Sequence, residues 1–151
     1  MIQRNNQQLS EDDQSLIQQA LEATRTSYAP YSRFHVGAAV RMADAMVYTG
    51  SNQENIAYPA CVCAERVALL YAVSHSPCAP TTLAVTATDD SGWVADPVTP
   101  CGECRQVLLE MQRRFHSPIR VLMASKDRTI VCESAEELLP GAFEATQLSH
   151  P

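Results

Sequence analysis

Cys63-Ala64-Glu65-Arg66-Val67-Ala68-Leu69-Leu70-Tyr71-Ala72-Val73-Ser74-His75 is built of good helix formers and has almost no polar face after Arg66. A helix that is apolar all round has to be buried all round. In a chain of 151 residues one sheet covers only one of its sides, so the other side meets either another subunit or a second layer of helices. This helix lies inside the fold, and the rest of the chain is read as what surrounds it.

Upstream, Ser10 is an N-cap followed by Glu11, Asp12 and Asp13, and Leu16, Ile17, Ala20 and Leu21 recur as a helical stripe, which predicts a helix over residues 11–26. Residues 28–32, Tyr-Ala-Pro-Tyr-Ser, break it. Residues 33–42 and 46–50 read as two strands of a hairpin turning at 43–45. Downstream, residues 83–88 alternate as a strand, 89–100 form a polar loop, and Pro100-Cys101-Gly102-Glu103-Cys104 opens a helix that runs to about residue 115. Two short strands, 119–124 and 129–132, are joined by a connection too short for a parallel crossover, so these last two strands are antiparallel. A short acidic helix and Leu138-Leu139-Pro140-Gly141-Ala142-Phe143 close the chain's pattern. The expected architecture is α/β: one domain, residues 1–151, around a mixed sheet of about five strands with helices on its faces.

The composition, 46% hydrophobic and 19% charged, is that of a globular domain. A formal charge of −6 provides no field to gather phosphates, which argues against nucleic acid or an anionic membrane as partner and leaves a small neutral or cationic ligand. The first residues have no apolar stretch of the secretory kind, and nothing later approaches the ~18 apolar residues of a membrane span, so a cytoplasmic location is expected. In that reducing setting Cys61, Cys63, Cys78, Cys101, Cys104 and Cys132 read as metal ligands or buried thiols, not disulfides.

Spacing separates those two readings. Cys101 and Cys104 stand three apart at a helix start, where thiol pKa values fall toward the thiolate that a metal needs. Alone, Cys-x-x-Cys equally suits thiol exchange, but Cys63 adds a third thiol at a second helix start. Three ligands leave the fourth position of tetrahedral zinc open, as in catalytic sites, whereas inclusion of Cys61 would close the site and make it structural. Glu65, two residues after Cys63, is within reach of the open position as a proton carrier. Its plain alternative is an acid that suits the helix dipole. Three thiolates on Zn²⁺ carry net negative charge, and Arg66, three residues from Cys63 on the same face, can donate to them, unless it is an ordinary solvated arginine. Cys78 and Cys132 lack partners at ligand spacing and read as buried thiols.

Cys63-Ala64-Glu65 followed by Pro100-Cys101-Gly102-Glu103-Cys104 fits the Cys-x-Glu and Pro-Cys-x-x-Cys signature of zinc nucleobase deaminases. With residues 28–39, residues 50–55, Cys63-Ala64-Glu65-Arg66, residues 100–106, Leu138-Leu139-Pro140 and Phe143, nearly the whole chain resembles the small, homotetrameric cytidine deaminases, a three-layer α/β/α fold. That resemblance implies zinc on Cys63, Cys101 and Cys104, and Glu65 as the proton carrier. It implies that Asn52 and Glu54 bind the ribose hydroxyls, Phe34 packs on the base, the Ala64 backbone reads the pyrimidine, and Tyr58 lies in the substrate loop. Phe143 matches an aromatic that reaches into a neighbouring subunit's site, which would make a homotetramer necessary for activity. By residue type alone, Phe34 and Phe143 would be plain core residues. Gln53 departs from the isoleucine common in the family, and an extended stretch should point it away from Asn52 and Glu54. Cys61 is the second departure.

The implied reaction is hydrolytic deamination of free cytidine and 2′-deoxycytidine, with one zinc per subunit. A carboxylate at Glu54 would repel a phosphate, which favours nucleosides over nucleotides. The alternatives are a polynucleotide deaminase of the same superfamily, disfavoured by the acidic composition, and a non-catalytic zinc module.

Overall fold

The computed structural model describes residues 1–143. Its strands and helices run β1 (Ile2–Asn5), α1 (Glu11–Ala23), β2 (His35–Met42), β3 (Val47–Ser51), α2 (Ala64–His75), β4 (Pro80–Asp89), β5 (Gly92–Trp93), α3 (Gly102–Phe115), β6 (Arg120–Ala124) and β7 (Arg128–Cys132). One sheet contains every strand, in the order β1-β7-β6-β4-β2-β3, with β5 paired to β4 beside that path. β4 and β6 are parallel, because α3 crosses between them, and the remaining pairs are antiparallel, β6 with β7 included.

The two-residue period of the strands divides the core into two layers. Ala38, Val40 and Met42 of β2, Leu83 and Val85 of β4, and Val121 and Met123 of β6 face α2 and α3. Their neighbours Ala39, Ala84, Leu122 and Ala124 face Leu16, Ile17 and Ala20 of α1. The result is the mixed α/β sandwich expected. α1 begins as its sequence suggests, with the Ser10 hydroxyl accepting from the Asp13 amide at 3.2 Å. Residues 24–26 tighten into a 3₁₀ turn instead of extending the helix.

Seven strands replace the expected five or so. β1 was not legible because all four of its residues are exposed, so it has no apolar face to reveal it; it extends the edge at β7 by backbone pairing alone. β5 lies within the stretch read as a polar loop, where Trp93 donates its Nε1–H to Thr86 Oγ1 at 2.6 Å. The closing acidic helix is a single 3₁₀ turn, Ala135–Leu138.

α2 crosses the sheet where β3 has Gly50, and a Cβ there would lie 2.5 Å from the Ala68 amide nitrogen. This close approach fixes how deeply the start of α2 sits. α3 packs beside it, yet Leu70 and Tyr71 remain 47% and 51% exposed, so a helix expected to be covered all round has one open face in the single chain. Among the described residues, no helix is long and apolar enough to cross a membrane.

Candidate active site

Two helix starts converge. Cys63 is the N-cap of α2 and Cys101 the N-cap of α3, both in extended conformation and neither capping with its side chain, while Cys104 is the third residue of α3. Cys63 Sγ and Cys101 Sγ are 3.7 Å apart, Cys101 Sγ and Cys104 Sγ 3.4 Å, and all three sulfurs lie within 4.8 Å of one another. Tetrahedral zinc with thiolate bonds of ~2.3 Å sets sulfurs ~3.8 Å apart, close to these separations, so the donor set suits that ion. Cys104 is fully buried and Cys101 exposed, which leaves one side of the cluster open.

The charges fit as well. The Cys63 thiol is lowered to about 5, first by the hydrogen bond from Cys104 and then by Arg66 and Cys101, against the cost of its burial. Cys104 is pushed the other way by that same bond, by burial and by the charge of Glu65. Arg66 Nη2 lies 3.9 Å from Cys63 Sγ, 3.2 Å from the Cys61 carbonyl oxygen that it donates to, and 3.0 Å from Glu103 Oε2. Among the described residues, Arg66 Nε is the buried side-chain polar atom without a hydrogen-bond partner. A guanidinium that already reaches Cys63 Sγ and keeps one buried N–H free suits a site where negative charge accumulates.

Glu65, the second residue of α2, is 5% exposed. Burial, joined by the charge on Cys63, pushes its carboxyl up to about 7, a range in which a group both takes and gives a proton near neutrality. Ala64 is the first helical residue, and its amide has no acceptor within the helix.

Cys61 does not join the thiols. It accepts from the Asn55 amide at 3.2 Å and donates to the Asn55 carbonyl at 3.6 Å, so the loop turns it away. Cys132 is buried and donates to the Ser134 carbonyl, while Cys78 is half-buried against the α2 side of the core.

The other half of the site stands on extended backbone beyond β3. Asn52 Oδ1 accepts from the Val36 amide at 2.8 Å and from the Ser27 hydroxyl at 2.5 Å, and its Nδ2 donates to the Phe34 carbonyl at 3.0 Å. Glu54 Oε2 accepts from the amides of Tyr31, at 2.9 Å, and Ser32, at 3.3 Å. Hydrogen bonding from the Ser32 side chain, then from these amides, holds the Glu54 carboxyl below the usual carboxylate range. Gln53 points elsewhere, as expected, with its Nε2 donating to the Thr26 carbonyl at 3.2 Å and to Ser51 Oγ at 3.2 Å. Phe34 is half-buried and lines an open cavity of about 480 Å³ with Asp89, Val94 and Val98, to which the thiols do not contribute. Tyr58 is 68% exposed and meets Tyr31 edge-on at 6.2 Å. Phe143 is 61% exposed, and its carbonyl accepts from Arg113 near the far end of α3, nine residues along the helix from Cys104, or ~14 Å. Phe143 thus docks by its backbone at the end of α3 opposite the thiols. Ser27, Tyr31 and Val36 hold the site together yet have no local signal, since each meets a partner 16 to 25 residues away.

Residues 10–116 match the model of the cytidine and deoxycytidylate deaminase zinc-binding region. The chain belongs to this family. All three thiols and Glu65 fall inside the matched span, and Phe143 lies beyond it. The family relatives include a cytidine deaminase of Halalkalibacterium halodurans, 40% identical over 91% of this chain and 98% of its own length. A cytidine deaminase of Mycobacterium tuberculosis is 40% identical over 82% of this chain and 84% of its own. Among solved structures, the cytidine deaminase of Burkholderia pseudomallei superposes with a TM-score of 0.76 at 36% identity, covering 89% of this chain and 100% of that one. Family membership makes zinc the metal for which the thiol geometry is suited.

Proposed function

We infer that the protein is a cytoplasmic, zinc-dependent cytidine deaminase that hydrolyses cytidine and 2′-deoxycytidine to uridine and 2′-deoxyuridine with release of ammonia. The observation that carries this reading is a buried carboxyl, Glu65, in the first turn of the helix that Cys63 caps, together with three thiols that converge from two helix starts. Relatives named cytidine deaminase, at 40% identity over most of the chain, support it.

Cys63, Cys101 and Cys104 hold the zinc, which when bound supplies the Lewis acidity that lets water attack at neutral pH. Glu65 takes the proton that water gives up and delivers it to N3 of cytosine as C4 is attacked. It then takes the remaining proton from the new hydroxyl on C4 and hands it to the amino group, which leaves as ammonia while the C4 carbonyl forms. Arg66 offsets the charge of the thiolates from behind. The Ala64 backbone reads the pyrimidine, Phe34 packs on the base, Asn52 and Glu54 bind the sugar, and Tyr58 borders the substrate loop. Glu54 disfavours a phosphate beside the sugar, so free nucleosides are the substrates.

The working unit is a homotetramer with shared sites. The open face of α2, where Tyr48 meets Tyr71 edge-on and Tyr71 packs at a tilt on His75 beside exposed Leu70, supports a subunit contact. The exposure of Phe143, tied by its carbonyl to Arg113 near the far end of α3, supports its delivery to a neighbour's site.

Zinc-loaded protein mixed with cytidine tests the reading: the cytidine absorbance band should fall while uridine and ammonia appear in equal amounts. Cytidine left unconverted, or a single-stranded oligonucleotide deaminated in preference to it, would contradict the assignment.

A further inference from the structure

The Asn52 amide is held by three hydrogen bonds from two parts of the chain, and they do different things. Two come from the segment entering β2, where the Val36 amide donates to Oδ1 and the Phe34 carbonyl accepts from Nδ2. Both come from one extended stretch and hold the two ends of the amide from one side. The third is the Ser27 hydroxyl, 2.5 Å from Oδ1, and it comes from the turn that ends α1. Because the Val36 N–H identifies Oδ1 as the oxygen, Ser27 is necessarily the donor.

Two consequences follow for the sugar. Both lone pairs of Oδ1 are occupied, so Asn52 addresses a hydroxyl only through its remaining Nδ2 hydrogen, whose direction lies in the amide plane. Ser27, from the turn that ends α1, braces that plane through the third bond. The serine is itself fixed: the adjacent Thr26 meets Ser51 Oγ at 2.9 Å, Gln53 donates to the Thr26 carbonyl, and the Tyr28 amide donates to the Asn52 carbonyl at 3.1 Å. Residues 26–28 thus run clamped beside 51–54, and the hydroxyl is presented by rigid backbone.

We propose that Ser27 is a positioning residue for nucleoside binding, fixing the Asn52 amide so that its free N–H faces the sugar. The proposal rests on the deaminase reading above and adds a residue to it. Its signature is specificity for the sugar, because Ser27 lies apart from the thiols and Glu65.

The test compares wild type, Ser27→Ala and Ser27→Thr, all zinc-loaded. For Ser27→Ala the KM for cytidine should rise about threefold to tenfold, the scale of one lost hydrogen bond, with kcat within about twofold. Competitive inhibition by the product uridine should weaken by the same factor, and inhibition by uracil, which has no sugar, should not change. Ser27→Thr keeps the hydroxyl and should restore both values. Unchanged KM and uridine inhibition in Ser27→Ala would overturn the proposal, as would equal weakening of uridine and uracil, which signals general disturbance of the pocket. A wild-type protein that neither converts cytidine nor binds uridine refutes the deaminase reading itself, an outcome visible before any variant is made.

Discussion

The thiol half of the site is built from helix starts, with Cys63 and Cys101 as N-caps and Glu65 buried in the first turn of α2, whereas the half proposed to bind the sugar is extended backbone held by hydrogen bonds from residues 27, 31, 32 and 36. A helix start fixes its first residues by its own geometry and by burial against the sheet. Extended backbone has no such internal frame, so Asn52 and Glu54 depend on partners brought from elsewhere in the chain. The two halves should fail separately, the first through metal and turnover and the second through affinity for the nucleoside.

The largest effect is expected from Cys63→Ser. It removes a sulfur 3.7 Å from Cys101, and both zinc content and activity should be lost, turnover by more than about a hundredfold. Metal analysis of the purified variant checks this, and retained zinc would break the thiol half as drawn. Next, Glu54→Gln should raise the KM for cytidine about tenfold by replacing a charged acceptor, with zinc content unchanged. Zinc loss in that variant would show that the halves are not separate.

Two glycines sharpen the comparison at lower amplitude. A Cβ at Gly50 would press on the Ala68 amide and displace α2, whereas one at Gly37 would run into the Ala20 carbonyl and approach the Thr24 amide to 2.8 Å, displacing the turn that leads to Ser27. Each alanine variant should lose about 1–3 kcal/mol of stability in thermal or denaturant unfolding. Gly50→Ala should give up zinc more readily to a chelator, and Gly37→Ala should show the higher KM. The smallest effect is reserved for Cys61→Ser. Cys61 hydrogen-bonds Asn55 and stands outside the thiol group, so zinc affinity should stay within about twofold of wild type. Failure to hold zinc would make Cys61 a ligand.

The thiol half was legible in the sequence because its geometry is local. Cys63, Glu65 and Arg66 share one turn and Cys101 and Cys104 another, each aimed by helical spacing, while the meeting of the two turns was read from the deaminase signature. The hairpin of β2 and β3 and the antiparallel β6 and β7 were legible for the same reason, through period-two apolar patterns and short turns. β1 and β5 were not, because one is fully exposed and the other has two residues, and backbone pairing leaves no mark on residue type. Asn52 and Glu54 entered through family resemblance, and Ser27 was missed altogether. Nothing near it in sequence announces a hydrogen bond to a residue 25 positions later.

The most direct test of this division of labour is Glu65→Gln, with zinc content and turnover measured on the same preparation. One zinc per chain with turnover lowered by roughly 10²- to 10⁴-fold is the expected result, the range for loss of a proton carrier. Turnover within about tenfold of wild type in zinc-loaded Glu65→Gln would contradict the role given to Glu65, and with it the chemistry assigned to the thiol half.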